Sequence, residues 1–341
     1  MSSFNWRRML KLLSVILVGG LLALAAYVKV EPEQTAILQE AASVKPTGEG
    51  GGEKAVLRTE EVLDKSRTKG TFSVRYFDLP SDVKSGDAIL IETPDGKTMM
   101  IDSGIQEASP KLMEYIKKLG IDSIDAAVNT HPHADHIGGY SSILRNVTAK
   151  IFYMINLPHV SSSQYVNVTS ILAEKKIKTE LLEEGSSFSL GNEVKVEVFS
   201  PTKGVLPGAV KTFDANEINQ YSMVLKVTYK DTSFLFPGDI YQATEFTLSE
   251  KYLKELDADF VHAPHHGAAT SSSITFINAV SPKVAVMSAN IFQSRDVMKR
   301  YESLGSKVYA TGLHGNILIT SDGKDLKVIT EKDWEWKVKA K

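Results

Sequence analysis

The sequence contains no cysteine among its 341 residues. Disulfide bonds, thiolate metal ligands and a cysteine nucleophile are therefore excluded together. Any metal ion in this protein must be bound by histidine, aspartate or glutamate side chains. The lack of cysteine also suits an exported protein that needs no oxidative folding.

A large excess of charge of one sign is also absent, since 39 basic residues oppose 41 acidic ones and the formal net charge is −2. The whole chain thus lacks the basic character typical of proteins that bind nucleic acid non-specifically. The motif Gly-x-Ser-x-Gly is absent too, which argues against a serine hydrolase that uses this motif. The content of 43% hydrophobic and 23% charged residues is typical of a globular protein with a sizeable core.

The one long apolar run in the sequence covers residues 12–28. Arg7, Arg8 and Lys11 precede this run, and polar sequence follows it. A basic segment before an apolar one is typical of a signal peptide, while the length of the run is close to the ~17 residues that a membrane-spanning helix requires. We therefore expect residues 1–30 to be a signal peptide or an N-terminal membrane anchor, with the rest of the chain exported.

Composition and pattern divide the remaining chain in two. Residues 31–70 are rich in Glu, Lys, Thr, Ala and Gly and predict a flexible linker. Residues 71–335 alternate strand-like and helix-like segments, beginning with a hairpin whose turn is Pro94-Asp95-Gly96. Each half of this region has strands first and helices later. The order predicts an α+β domain in which two packed sheets are covered by helices, a four-layer αββα sandwich.

The segment from His131 to Gly139 reads HPHADHIGG and is typical of a metal site. Pro132 disfavours helix for the residue before it, so His131 and His133 lie on extended chain and point the same way. Asp135 and His136 are adjacent and therefore diverge, which lets them reach a second ion beside the first. The spacing differs from the helical H-E-x-x-H of zinc proteases, and three histidines within six residues argue against a solvated polar loop.

Further candidate ligands follow two later apolar strands. Asp239 comes directly after the strand-like run that ends at Phe236, and His265 and His266 follow the run 259–263. Functional side chains collect where strands end in loops. We therefore expect these residues to converge with the His131 segment on one rim of the domain.

The order H-x-H-x-D-H-I-G-G, Gly-Asp, Pro-His-His-Gly resembles the metallo-β-lactamase superfamily. More narrowly, it resembles the soluble β-lactamase-like domain of ComEC-type DNA-internalisation proteins. The segments GDAILI (86–91), PDG (94–96) and IDSG (101–104) also match the opening hairpin of that domain. The resemblance extends from about residue 72 to about residue 330 and implies a dinuclear metal site on a metallo-β-lactamase-like sandwich.

Transferred residue by residue, the resemblance implies a specific ligand set. His131 and His133 would bind the first ion, Asp239 would bridge both, and the second ion would be bound by Asp135, His136 and His265. Of the adjacent histidines we favour His265, with His266 behind the ligands or in contact with substrate. Asp102 would support the site through a hydrogen bond to a ligand histidine.

Two features depart from the superfamily pattern. The further histidine that usually serves the first ion is absent before the Gly-Asp element, so Asn219 or Ser222 would face the site in its place, with His159 on a surface loop as a weaker alternative. Ala268 stands where the family has serine, and Asn290 lacks the histidine that usually follows it. Both latter changes lie on the substrate side, so the sequence predicts the metal site more firmly than the substrate.

The expected activity is metal-dependent hydrolysis. Two divalent ions, Zn²⁺ as first candidate and Mn²⁺ as second, would activate water for attack on phosphorus or an ester carbonyl, with Asp135 or Asp239 as the catalytic carboxylate. The resemblance favours a phosphoester substrate, either single-stranded DNA or a cell-surface polymer. Two alternatives stay open: a tethered, non-catalytic surface-binding domain and a carboxylic ester or lactone hydrolase. The expected location is extracytoplasmic, either secreted or anchored to the outer face of the cytoplasmic membrane.

Overall fold

Strand β2 (Ala88–Glu92) is buried at every position, because it lies in a sheet that is covered on both faces. Ile89 and Ile91 belong to one apolar cluster, whereas Ala88 and Leu90 belong to another. This alternation follows from the two-residue period of a strand, which turns successive side chains to opposite faces. The computed structural model describes residues 58–210 and 215–335 of the chain.

Fifteen strands lie within these described residues. In chain order they are β1 (Phe72–Tyr76), β2, β3 (Thr98–Ser103), β4 (Ser123–Val128), β5 (Thr148–Met154), β6 (Lys178–Leu181), β7 (Ser187–Leu190), β8 (Val194–Ser200), β9 (Val224–Tyr229), β10 (Thr232–Phe236), β11 (Phe260–His262), β12 (Val284–Met287), β13 (Lys307–Ala310), β14 (Ile317–Ser321) and β15 (Leu326–Thr330).

The α-helices of the same ranges are α1 (Thr59–Leu63), α2 (Ser109–Lys118), α3 (Ala134–Ile137), α4 (Tyr140–Asn146), α5 (Ser163–Glu174), α6 (Ala215–Asn219), α7 (Gln242–Tyr252), α8 (Ile274–Val280), α9 (Arg295–Ser303) and α10 (Thr311–His314). Short 3₁₀ segments cover Lys65–Thr68, Gln106–Ala108 and Pro264–Gly267.

The strands form two sheets with the same mixed design. The eight-stranded sheet has the order β15-β14-β1-β2-β3-β4-β5-β6, and the seven-stranded sheet has the order β13-β12-β11-β10-β9-β8-β7. Within the first, pairing is antiparallel from β15 to β3 and parallel from β3 to β6. In the second, it is antiparallel from β7 to β10 and parallel from β10 to β13.

Three apolar clusters separate four layers. The central cluster joins the facing sides of the two sheets, with Val74 from the first and Phe234 from the second. A second cluster packs helices α2, α4 and α5 on the first sheet, and a third packs α7, α8 and α9 on the second. The predicted α+β, four-layer αββα sandwich is therefore confirmed.

The start of the folded region differs from the expected boundary at residue 71. Val62 and Leu63 of α1 are buried, and Arg75 of β1 donates from Nε to the carbonyl of Val62 at 2.9 Å. The same guanidinium donates to Thr68 Oγ1 at 2.9 Å. Residues 58–70 are thus part of the domain, because a buried arginine in the first strand needs their polar groups as partners.

The expected signal peptide or anchor (1–30) and residues 31–57 of the expected linker lie outside the described residues. Within the ranges 58–210 and 215–335, no helix combines the length and the apolar character that crossing a membrane requires.

Candidate metal centre

Strands of both sheets end at the predicted site residues. Strand β4 of the first sheet leads into His131, while β10 and β11 of the second sheet lead into Asp239 and His265. Since the two sheets pack face to face, these strand ends meet at one rim between them. The structure therefore brings together the side chains that the sequence analysis expected to converge.

Oδ2 of Asp239 is the atom on which four histidines converge. Its side chain is only 2% exposed, so solvent does not separate these groups. The distances from this oxygen to the histidine Nε2 atoms are 3.3 Å for His136, 3.3 Å for His266, 3.8 Å for His265 and 3.9 Å for His131. Asp239 is therefore the central carboxylate of this group of histidines.

The pair His131 and His133 lies on one side of this oxygen. Nε2 of His131 is 2.9 Å from Nδ1 of His133, so the two rings present nitrogen atoms to a common point. Burial lowers the pKa of His131 well below its ordinary value and that of His133 to about 4. Both imidazoles are consequently neutral near pH 7, which is the form that binds metal.

His136 is held by the carboxylate predicted to support the site. Nδ1 of His136 lies 2.8 Å from Oδ2 of the buried Asp102, whose Oδ1 accepts from the backbone N–H of Thr130 at 2.8 Å. Because an ionised carboxylate only accepts, Nδ1 of His136 carries the proton. Nε2, the other ring nitrogen, faces Asp239 at 3.3 Å.

His266 has the same arrangement with a different carboxylate. Its Nδ1 lies 3.1 Å from Oδ1 of Asp87 and 2.8 Å from the carbonyl oxygen of Ser288, and both of these groups accept. Its Nε2 lies 3.3 Å from Asp239 and 3.4 Å from Oδ2 of Asp135. Although burial lowers the pKa of His266, the carboxylates Asp239 and Asp87 raise it well above its ordinary value.

The geometry differs from the expected order of the adjacent histidines. His266 is fully enclosed among the carboxylates, whereas the side chain of His265 is 18% exposed and its Nδ1 lies 2.6 Å from Thr270 Oγ1. Both residues have left-handed backbone, with φ of 53° and 58°. Such φ values are uncommon outside glycine and cluster at functional sites. No pattern in the sequence indicates them at these two positions.

These contacts test whether a cation fits the centre. Nε2 of His136, Nε2 of His266 and Oδ1 of Asp239 are buried without a hydrogen-bond partner. Two imidazole nitrogens thus face one carboxylate oxygen, and this arrangement is stable only when positive charge lies on the rings or on a cation between them. Burial would lower the pKa of His136, yet Asp239, Asp135 and Asp102 raise it well above its ordinary value. The nitrogen and carboxylate donors fit a divalent metal such as Zn²⁺ or Mn²⁺.

Sequence reasoning missed two charged residues at this centre. Asp87 precedes β2 and contacts His266, and its Oδ2 also lies 3.0 Å from Nε2 of His262. Lys84 approaches from the same loop, with Nζ 3.2 Å from Oδ2 of Asp135. For Asp87, the sequence did offer one indication, namely an acidic residue that follows a glycine at the start of a buried strand.

The residues expected to replace the missing histidine contact neighbours of the centre. Oγ of Ser222 accepts from the backbone N–H of Asp239 at 3.2 Å, so it supports the loop that carries this carboxylate. Nδ2 of Asn219 donates to Oη of Tyr241 at 3.0 Å, and the Tyr241 ring lies 5.1 Å from that of His265. His159, expected on a surface loop, is in fact only 2% exposed.

Comparison with known proteins gives the family. The model of the metallo-beta-lactamase superfamily matches residues 81–289, more than half of the chain. The protein belongs to the metallo-β-lactamase superfamily. The resemblance inferred from the HPHADHIGG segment and the later elements is thereby confirmed.

Metallo-β-lactamase relatives of this chain include competence proteins. Competence protein ComA of Neisseria gonorrhoeae is 25% identical over 240 residues, which cover 69% of this chain and 30% of ComA. ComE operon protein 3 of Bacillus subtilis is 23% identical over 225 residues, which cover 61% of this chain and 27% of that protein. The chain thus spans less than a third of the length of the curated relatives it matches.

Among solved structures, CmlA, a diiron beta-hydroxylase from Streptomyces venezuelae, is similar with a TM-score of 0.44 and 12% identity, over 76% of this chain and 54% of that chain. The protein is therefore a superfamily member that is similar to competence proteins, and its Asp–His cluster is a candidate site for divalent metal ions.

Proposed function

We propose that this protein is an extracytoplasmic, dinuclear metal-dependent phosphodiesterase. The observation that carries the proposal is the convergence of four histidine Nε2 atoms on Oδ2 of Asp239, at 3.3–3.9 Å. A buried carboxylate oxygen surrounded by imidazole nitrogens from both sheets is suited to bridge two cations. A single structural ion would not need donors in this number.

The proposed ligands divide into two groups around Asp239. His131 and His133 bind the first ion through the nitrogen atoms that they present together. Asp135 and His136 bind the second ion, and His266 joins them in the place that the sequence analysis gave to His265. Asp102 and Asp87 hold the two central imidazoles from behind. Zn²⁺ is the first candidate and Mn²⁺ the second, because the donors are nitrogen and oxygen only.

The bound ions would supply Lewis acidity and make water a nucleophile near neutral pH. The two site carboxylates then differ in access. The side chain of Asp135 is 19% exposed, whereas that of Asp239 is 2% exposed. Asp135 is therefore the carboxylate that reaches an incoming water and orients it, while Asp239 stays ionised between the histidines.

The substrate in this proposal is a phosphoester polymer, either single-stranded DNA or a cell-surface polymer. The relationship to Competence protein ComA supports nucleic acid as the first of these. The basic and apolar pattern of residues 1–30 supports export, with these residues as a signal peptide or membrane anchor and residues 31–57 as a linker. The folded domain would then act on the outer side of the cytoplasmic membrane.

The test combines metal analysis with hydrolysis of bis(p-nitrophenyl) phosphate. We expect two ions per chain and measurable turnover after Zn²⁺ or Mn²⁺ is added. His133→Ala should lose metal and at least ~100-fold in activity, since a removed ligand disrupts the ion that generates the nucleophile. His314→Gln is the matched control, because His314 packs against Tyr309 and Trp334 away from the centre.

The outcomes distinguish the three candidate functions. Two bound ions without turnover of any ester would support the non-catalytic surface-binding domain. Turnover of carboxylic esters or lactones, with none of the phosphodiester, would support the ester hydrolase. Less than one ion per chain and no turnover after metal addition would overturn both hydrolase proposals.

A further inference from the structure

Lys84 is a charged residue at the mouth of the centre to which the metal chemistry gives no role. Its Nζ lies 3.2 Å from Oδ2 of Asp135, and the two side chains are 31% and 19% exposed. Among the described residues, it is the only lysine or arginine that pairs with a carboxylate of the centre. It therefore lies between the buried ligands and solvent, where a substrate enters.

The loop that carries Lys84 is fixed from the opposite side by Asn290. The Asn290 side chain donates to the carbonyl oxygens of Ser81 at 2.7 Å and Val83 at 3.0 Å, and its Oδ1 accepts from the backbone N–H of Ser85 at 2.8 Å. These bonds hold the backbone immediately before and after Lys84. Asn290, which the sequence analysis put on the substrate side, thus positions this loop.

The loop also packs directly against the backbone of Asp135. Gly86 has φ of +73°, and a Cβ built on it would lie 1.8 Å from the backbone oxygen of Asp135. Only glycine permits this approach, which brings the preceding lysine over the centre. The backbone is consequently fixed, while the lysine side chain keeps the freedom of its four-carbon stem.

A lone surface ion pair would contribute little to stability, so the location of Lys84 points to another role. The ammonium group is a compact charge with three donors, and it is protonated at neutral pH. A phosphodiester brings negative charge to its non-bridging oxygens, and more develops during hydrolysis. A preorganised cation stabilises such charge, whereas a neutral ester or lactone carries no negative charge when it binds and gains it only during the reaction.

We propose that Lys84 is a substrate-binding residue whose ammonium group contacts the anionic phosphoryl oxygens at the mouth of the centre. It thereby selects anionic phosphoesters over neutral esters. This inference rests on the proposed hydrolase function and deepens it, because it assigns the substrate class to a particular side chain.

The test measures the binding of inorganic phosphate to the metal-loaded full-length protein by calorimetry, next to its metal content. Lys84→Gln should keep two ions per chain and weaken phosphate binding about tenfold to hundredfold, the range of a hydrogen bond to a charged group. Lys84→Arg should restore most of the affinity. Lys111→Gln removes the same charge from α2, where Lys111 forms an ion pair with Glu114, and should bind phosphate like the wild type.

A comparison of substrates completes the test. In Lys84→Gln, kcat/KM for bis(p-nitrophenyl) phosphate should fall about as much as phosphate affinity, and turnover of neutral p-nitrophenyl acetate should fall clearly less. Unchanged phosphate binding in Lys84→Gln would overturn the inference. Loss of metal in this variant would also overturn it, because Lys84 would then stabilise the ion site and not bind the substrate. A wild type without metal or turnover would instead overturn the proposed function. Phosphate binding that still depended on Lys84 would then leave an anion site without hydrolysis.

Discussion

Oδ1 of Asp87 lies 3.1 Å from Nδ1 of His266, across 179 residues of sequence. Asp102 makes the same contact with Nδ1 of His136 at 2.8 Å. Each central imidazole is thus held by its own buried carboxylate. Asp87 precedes β2 and Asp102 lies near the end of β3, so both carboxylates are at the open end of the β2–β3 hairpin. The pairing fixes both Nε2 atoms towards Asp239 before any ion binds.

Asp87→Asn tests this support. Asparagine removes the charge that holds His266 and presents a donor as well as an acceptor, so we expect metal affinity to fall about 10- to 100-fold. Competition with a chelator, followed by elemental analysis, measures the change. Asp322→Asn serves as control, because Asp322 caps an exposed turn far along the chain. Equal affinity in Asp87→Asn and the wild type would contradict the supporting role.

Gly86→Ala and Gly96→Ala separate backbone strain from steric conflict. Both glycines have left-handed backbone, with φ of +73° and +80°, but an added Cβ at Gly96 would meet nothing within 4 Å. Gly96→Ala should therefore cost only ~1–2 kcal/mol of unfolding free energy. At Gly86 the new methyl group overlaps Asp135, which should add ~1–3 kcal/mol and weaken metal binding. Similar losses in both variants, measured by urea unfolding, would exclude the steric explanation.

Arg75 forms a buried ion pair with Glu92 and also binds the 58–70 segment. Arg75→Ala leaves the Glu92 carboxylate buried without this partner, so we expect a loss of ~3–5 kcal/mol. The double variant Arg75→Met/Glu92→Leu should lose less than Arg75→Ala, because it removes both charges. Denaturant unfolding of the three proteins decides the point; a single variant within ~1 kcal/mol of wild type would contradict it.

Asp78 makes stability depend on pH. Burial raises its pKa to about 6, with Lys332 opposing the shift and Glu331 adding to it. The folded state therefore binds this proton more tightly than the unfolded state, whose carboxyl titrates near ~3.9. The resulting stability, at most ~3 kcal/mol, is present below pH ~4 and is lost as the pH rises to about 6.

Asp78→Asn should remove this contribution. The difference in unfolding free energy between wild type and variant should then change between pH 4 and pH 6.5 in favour of the variant at the higher pH. Asp82→Asn, at an exposed position, controls for the loss of one carboxylate. A difference that stayed constant with pH would contradict the role of Asp78.

The sequence predicted those parts of the site that local patterns encode. His131, His133, Asp135 and His136 lie within six residues, and proline fixes their extended start. Asp87 and Lys84 were missed because their contacts join distant parts of the chain, and neither position carries a local signal of its partner. The choice between His265 and His266 depends on two left-handed backbone positions in succession, which follow from the packing of the loop.

The fold was predicted where strands are buried on both faces. By contrast, β7 and β15 are edge strands with partly exposed side chains. Such strands have weak alternation, because only one face and one edge are constrained by packing. The folded segment 58–70 was missed for a related reason, since its place is set by the distant side chain of Arg75.

The donors at the centre come from opposite sheets, and neither sheet holds a complete set. His131 and His136 follow strands of the first sheet, whereas Asp239 and His266 follow strands of the second. A bound ion would therefore link the two sheets of the sandwich. Its affinity would depend on how closely the two sheets pack against each other. Substitutions between the two sheets, such as at Phe234, should therefore change metal affinity under conditions in which the protein is still folded.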